Sequence, residues 1–259
     1  MSESIEQTLR KSRDAGRKLL VPYVTGGLRE DWTDLLLAMV DAGADAVEVG
    51  LPFSDPMMDG PTIQEASTVA LARGTTPASI FADLRAVEVH VPLIAMTYTN
   101  LVLRAGTKRF ANELVSAGIK GAIVPDMPLE ESSSWESDAA GEGVETVLLA
   151  APVTPDERLA VICERTHGFV YGVNLMGVTG ERKTLADSSG ILAKRLKAVT
   201  DKPVIMGFGI STPKQAADAA APADGAVVAS ALMRQAIDGA SAEEIGASVA
   251  AFRSALDAL

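Results

Sequence analysis

Short apolar runs and amphipathic stretches alternate along this chain eight times, and that count restricts the fold more than any single motif. Residues 18–25, 46–49, 91–97, 121–124, 145–149, 168–173, 203–206 and 225–228 read as strands. Helical periodicity covers 31–42, 62–73, 77–87, 109–117, 131–141, 155–165, 191–199 and 213–220, with two further helices at 231–238 and 242–258. Strands this uniformly apolar need cover on both faces, and their alternation with helices implies a parallel sheet. Eight repeats in 259 residues point to a single (β/α)8 TIM barrel domain, residues 1–259. Residues 3–16 form an extra N-terminal amphipathic helix outside the pattern. A doubly wound open sheet is the alternative topology. A weak repeat accompanies the alternation: Gly43-Ala44-Asp45-Ala46-Val47, Gly118-Ile119-Lys120-Gly121-Ala122 and Pro222-Ala223-Asp224-Gly225-Ala226 each join a helix end to a strand start.

Charge narrows the partners. Acidic residues outnumber basic ones 34 to 23, for a net charge of −11, which argues against nucleic acid. Aromatic residues are 4% of the chain, too few for a base-stacking platform. A small phosphorylated ligand remains compatible, because loop amides and helix N-termini bind anions without a basic surface. One cysteine, Cys163, permits no internal disulfide and fits a reducing compartment. The first twenty residues lack an apolar signal segment, and no run has membrane-spanning length. A cytoplasmic protein with no membrane partner is expected.

In a barrel of this type the chemistry sits at the C-terminal ends of the strands. In Ala46-Val47-Glu48-Val49 the alternation sends Val47 and Val49 to one layer and Glu48 to the other, so a carboxylate enters an interior. Gly50, Pro52 and Pro56 end that strand, Pro61 opens a helix, and the loop between carries Asp55 and Asp59. The plain alternative is one paired core glutamate and two turn-forming aspartates. His90, His167, Lys18, Lys120 and Lys202 all fall at strand beginnings, on the opposite rim. A histidine-bound metal is therefore not expected. No lysine falls inside a strand as read here, against a Schiff-base mechanism, and Cys163 suits a helix core. The working rim is left with Glu48, Asp59, Tyr23, Tyr98, Asp126, Tyr171 and Thr179. Glycine-bearing turns follow the late strands at 177–180 and 207–211, and Ala229-Ser230 opens the helix after strand eight. Such turns suit phosphate, although each alone is an ordinary turn. Residues 174–189 are long, polar and glycine-bearing, as a mobile lid would be.

These residues sit in motifs that resemble the tryptophan synthase alpha subunit family over nearly the whole chain. They are V-E-V-G-L-P-F-S-D-P-M-M-D-G-P-T-I-Q at 47–64, M-T-Y-T-N at 96–100, V-P-D-M-P at 124–128, G-V-T-G at 177–180 and G-F-G-I-S-T-P at 207–213. The resemblance implies a (β/α)8 barrel that cleaves indole-3-glycerol phosphate to indole and glyceraldehyde 3-phosphate. It implies a heterotetrameric α2β2 partnership with a beta subunit that carries pyridoxal phosphate, and no cofactor on this chain. Carried over by position, Glu48 is the catalytic acid/base, Asp59 the carboxylate beside the indole N–H, and Tyr171 the tyrosine near Glu48. Tyr23, Met96 and Tyr98 fall on the substrate pocket, with Thr179, Gly180, Gly207, Phe208, Gly209, Ala229 and Ser230 toward the phosphate. Pro52, Asp55, Asn100 and Pro128 fall on partner-facing loops. Two positions depart from the pattern: Ala229 stands where many relatives have glycine, and Leu175 where some have arginine.

Two other functions fit parts of the sequence. A sugar-phosphate isomerase or epimerase would share the phosphate turns, but Phe53, Met96, Phe208 and the tyrosines suit an aromatic ligand. A catalytically weak module that activates a partner would not need both Glu48 and Asp59.

Overall fold

Helix α1 (Ile5–Asp14) precedes strand β1 (Leu19–Thr25), and the alternation then runs to the C-terminus. It continues as α2 (Trp32–Asp41), β2 (Val47–Gly50), α3 (Pro61–Ala72), α4 (Pro77–Arg85), β3 (Leu93–Met96), α5 (Thr99–Ala105) and α6 (Thr107–Ser116). Next come β4 (Ile119–Ile123), α7 (Ser133–Glu142), β5 (Glu145–Ala150), α8 (Asp156–Arg165), β6 (Val170–Val173) and α9 (Arg182–Val199). The chain ends with β7 (Val204–Gly207), α10 (Pro213–Ala220), β8 (Gly225–Val228), α11 (Ser230–Ile237) and α12 (Ala242–Asp257). This computed structural model describes residues 3–173, 182–207 and 209–259, with side chains from 189 onward in α9. The strands pair in sequence order, all parallel, and β1 also pairs with β8, which closes the barrel. The expected (β/α)8 architecture is therefore present, and the open sheet is excluded.

The side-chain alternation of β2 falls as its sequence requires. Val47 and Val49 pack into the layer between barrel and helices, beside Leu35, Leu36, Met39 and Phe110. Ala46 packs inside the barrel with Leu19, Val21, Ile94, Ile123 and Ile205. Glu48 shares that inward parity.

The repeated Ala-Asp before a strand has a structural cause. Asp45 Oδ2 accepts from the Leu20 N–H at 2.8 Å, and Asp224 Oδ2 accepts from the Val204 N–H at 2.8 Å. Each aspartate thus pins the start of the preceding neighbour strand. Arg17 and Arg253 neutralise Asp45, at 2.8 and 3.1 Å, and Lys197 neutralises Asp224 at 2.8 Å. Paired and hydrogen-bonded, these carboxylates are tolerated where unpaired ones would be costly.

Helix α1 closes the barrel from below. Ile5 and Leu9 are fully buried and join the cluster that contains Phe169 and Tyr171. The Glu145 carboxylate, at the start of β5, accepts from the backbone N–H groups of Ile5 and Glu6. A residue some 140 positions away therefore satisfies donors that the first turn of a helix leaves open. Gly121 makes room for the plug, since a Cβ there would stand 2.4 Å from Ile5 Cδ1.

Three sequence expectations need correction. Residues 99–105 form helix α5, where no helix was expected, separated from α6 by Gly106 at φ 87°. Strand β4 begins at Ile119, so Lys120 does lie within a strand. Its ammonium group donates to the Glu3 carbonyl at 3.0 Å, which keeps it at the end of the barrel that α1 closes. The helix after β6 starts at Arg182 rather than 191, so the expected lid becomes helical in its second half. The remainder of that lid, 174–181, lies outside the described residues. Among the described residues, no helix is long and apolar enough to cross a membrane.

Candidate active site

Strand β2 delivers Glu48 to the barrel interior with 1% of its surface exposed. In register it is flanked by Tyr23 of β1 and Ile94 of β3. Its Oε1 has no hydrogen-bond partner. Burial, with a smaller contribution from the Asp59 charge, pushes the Glu48 carboxyl up to about 8. At neutral pH the group therefore holds its proton.

Asp59 hangs over this interior on the loop between β2 and α3. Gly60 caps α3 and Pro61 occupies its first turn, as expected, and this fixes where the loop ends. The Tyr98 hydroxyl donates to Asp59 Oδ2 at 3.0 Å and accepts from the Met58 N–H at 3.2 Å. Tyr98 also stacks on Phe53, with ring centroids 5.1 Å apart. Burial raises the Asp59 carboxyl to about 6, with the tyrosine hydrogen bond opposing the rise. Two carboxyls are thus held at different levels, the pattern that separates an acid from a base at one pH.

Two tyrosines complete the enclosure, each seated on a glycine at the end of the next strand. A Cβ on Gly50 would lie 1.8 Å from the Tyr23 hydroxyl oxygen, and one on Gly207 would lie 2.4 Å from Tyr171 Cε2. Thr25 Oγ1 donates to Tyr23 at 3.3 Å. Burial, helped by the neighbouring carboxylates, raises both phenols above their ordinary value, so they remain neutral. Met96 ends β3, half-buried beside Gly50 in the register.

Of the phosphate-side residues, Ala229 is half-buried and caps α11, and Ser230 is exposed as its first residue. Gly209 adopts a left-handed φ of 70° with open space around its α-carbon, which a backbone approach to an anion needs. Gln215 Oε1 already accepts from the amides of Ser211 and Thr212. Gly207 is explained by Tyr171 without any ligand. Thr179, Gly180, Phe208 and Leu175 lie outside the described residues. Asp126, a rim residue with no assigned role, accepts from the Thr99 N–H at the start of α5, and this pairing joins two different loops. Both histidines are exposed and precede strands, His90 before β3 and His167 before β6. Among the described residues no cluster of three or more metal-ligating side chains occurs.

Fold and raised carboxyls together define a class, that of (β/α)8 barrel enzymes. The profile of the "Tryptophan synthase alpha chain" family matches residues 9–257, and the chain belongs to that family. The tryptophan synthase alpha chain of Gloeobacter violaceus is 45% identical over 232 residues, covering 87% of this chain and 84% of its own. That of Picosynechococcus is 40% identical and covers 94% of each. Among solved structures, tryptophan synthase subunit alpha from Legionella pneumophila superposes with a TM-score of 0.91 at 32% identity, over 100% of both chains. A Mycobacterium tuberculosis tryptophan synthase chain gives a TM-score of 0.89 at 34% identity over 99% of each.

Proposed function

We propose that this chain, as one domain spanning 1–259, cleaves indole-3-glycerol phosphate to indole and glyceraldehyde 3-phosphate by a retro-aldol reaction. The observation that carries the reading is Glu48: buried, protonated at neutrality, with an unpartnered oxygen inside the barrel. Glu48 donates its proton to indole C3, which makes the ring a cation. Its carboxylate then takes the proton of the glycerol hydroxyl next to that carbon. The carbon–carbon bond breaks, its electron pair returns to the ring, and the hydroxyl becomes the aldehyde. Asp59, ionised above about pH 6, faces the ring N–H and steadies the cation. Tyr171 and Tyr23 wall the carboxyl from water, Met96 and Tyr98 hold the ring, and Phe208 lies toward the phosphate. Thr179, Gly180, Gly207, Gly209, Ala229 and Ser230 take the phosphate end, with the positive end of α11 helping.

A tryptophan synthase beta subunit receives the indole in an α2β2 assembly. Asp55, Asn100 and Pro128 are exposed on that rim, beside the exposed apolar Met57, Leu103 and Val153, while Pro52 is buried beneath. Pyridoxal phosphate belongs to the partner, this chain works without a cofactor or metal of its own, and the compartment is the cytoplasm. The test mixes purified chain with indole-3-glycerol phosphate, with and without a beta subunit, and measures indole. Release in either arm, abolished by Glu48→Gln, supports the reading. No release in both arms removes it.

A further inference from the structure

We propose that Asp126, on the loop after β4, is a positioning residue that sets Tyr98 against Asp59 by holding the first turn of α5. Asp126 Oδ1 accepts both the Thr99 N–H at 2.8 Å and the Thr99 hydroxyl at 2.9 Å. The residue that caps α5 in sequence is Tyr98, whose side chain makes no capping bond. The cap therefore comes from 27 residues further along the chain. Fixing the Thr99 amide and hydroxyl fixes the backbone of the adjoining Tyr98, and with it the direction of the ring.

The ring in turn organises the acid loop. It stacks on Phe53, accepts from the Met58 amide and donates to Asp59. Loop 51–60 is thus held at three points by one side chain whose own backbone Asp126 restrains. The titratable groups facing Asp59 are Glu48 of β2, Tyr23 of β1, Tyr171 of β6 and Tyr98. Of these, Tyr98 supplies the hydrogen bond that favours the ionised form. A tyrosine turned away leaves burial unopposed, and Asp59 then titrates higher. The functional side of this inference rests on Asp59 working as a carboxylate.

Four variants test it: Asp126→Ala, Asp126→Asn, Tyr98→Phe and the double Asp126→Ala/Tyr98→Phe. Carbon-13 NMR titration of the Asp59 carboxyl needs no substrate, so it reads the link whether or not indole is released. The kcat/KM profile against pH reads it during turnover. Asp126→Ala should raise the Asp59 midpoint by about 1–2 pH units, the scale of one hydrogen bond to a charged group. Asp126→Asn, which keeps an acceptor for Thr99, should return it toward the parent. Tyr98→Phe should give the same rise, and adding Asp126→Ala to it should give no more. An unmoved midpoint in folded Asp126→Ala overturns the proposal, as does an equal shift with and without the Tyr98 hydroxyl. Should Asp126→Ala fail to fold, Thr99→Val removes one of the two bonds and replaces it in the same comparison.

Discussion

The Tyr171 ring covers the α-carbon of Gly207 on the neighbouring strand, so closely that a methyl group there would meet Cε2 at 2.4 Å and the hydroxyl oxygen at 2.5 Å. Gly207→Ala must therefore displace a buried aromatic ring. Overpacking of this kind typically costs ~1–3 kcal/mol. Denaturant titration should show that loss in the parent background and a smaller one when Tyr171 is already leucine. Equal losses in both backgrounds would trace the glycine requirement to something other than the ring.

Glu48→Gln separates function from stability. Glu48 titrates at about 8 in the fold against an ordinary 4.5. A folded value raised this way means stability is full below about pH 4.5 and falls as pH rises toward 8. Glutamine escapes that loss, so the variant should be more stable than the parent at pH 7, by ~1–3 kcal/mol, while the advantage vanishes near pH 4. Indole formation should fall by ~100-fold or more. Melts at the two pH values and one steady-state assay check all three outcomes.

In the proposed mechanism the two carboxyls also set the pH dependence of turnover. Asp59 has to be ionised, so kcat/KM should rise through about pH 6; Glu48 has to carry a proton, so it should fall through about pH 8. The expected profile is a bell whose limbs belong to the coupled pair. A profile flat from pH 5 to 9 would take both groups out of the proton transfers.

Ala229 caps α11, and the proposed function puts the phosphate end of the substrate there. Removing its methyl group allows closer approach of the anion to the helix amides. Ala229→Gly should lower KM by ~3–5-fold with kcat little changed, which is about 1 kcal/mol of binding common to ground and transition states. Steady-state kinetics and a melt of the same variant distinguish this from a loosened helix start. An unchanged KM would show the methyl group is accommodated already.

What the sequence disclosed, and what it hid, divides along the range of the interactions. Glu48 was legible because strand parity is local: with Val47 and Val49 outside, it had to face inward. Pro61 at the start of α3 was legible for the same reason. Helix α5 is not legible locally because its cap, Asp126, lies on another loop and Gly106 ends it after seven residues. The seating of Tyr171 on Gly207 depends on the register between β6 and β7, which no single strand specifies. The Ala-Asp repeat was visible as a pattern, but its cause, an amide on the neighbouring strand, exists only once the barrel closes.

Helix α1 has a consequence for the order in which the protein is made. It is synthesised ahead of the barrel it closes, and Glu145, the carboxylate that grips its first turn, follows some 140 residues later. At about 5–20 residues per second, the helix waits on the order of ten seconds for that partner to be synthesised. Until then Ile5 and Leu9 have no enclosed place to go, and the floor beneath the barrel is open to water. That end of the barrel is therefore completed by a segment made early that docks late.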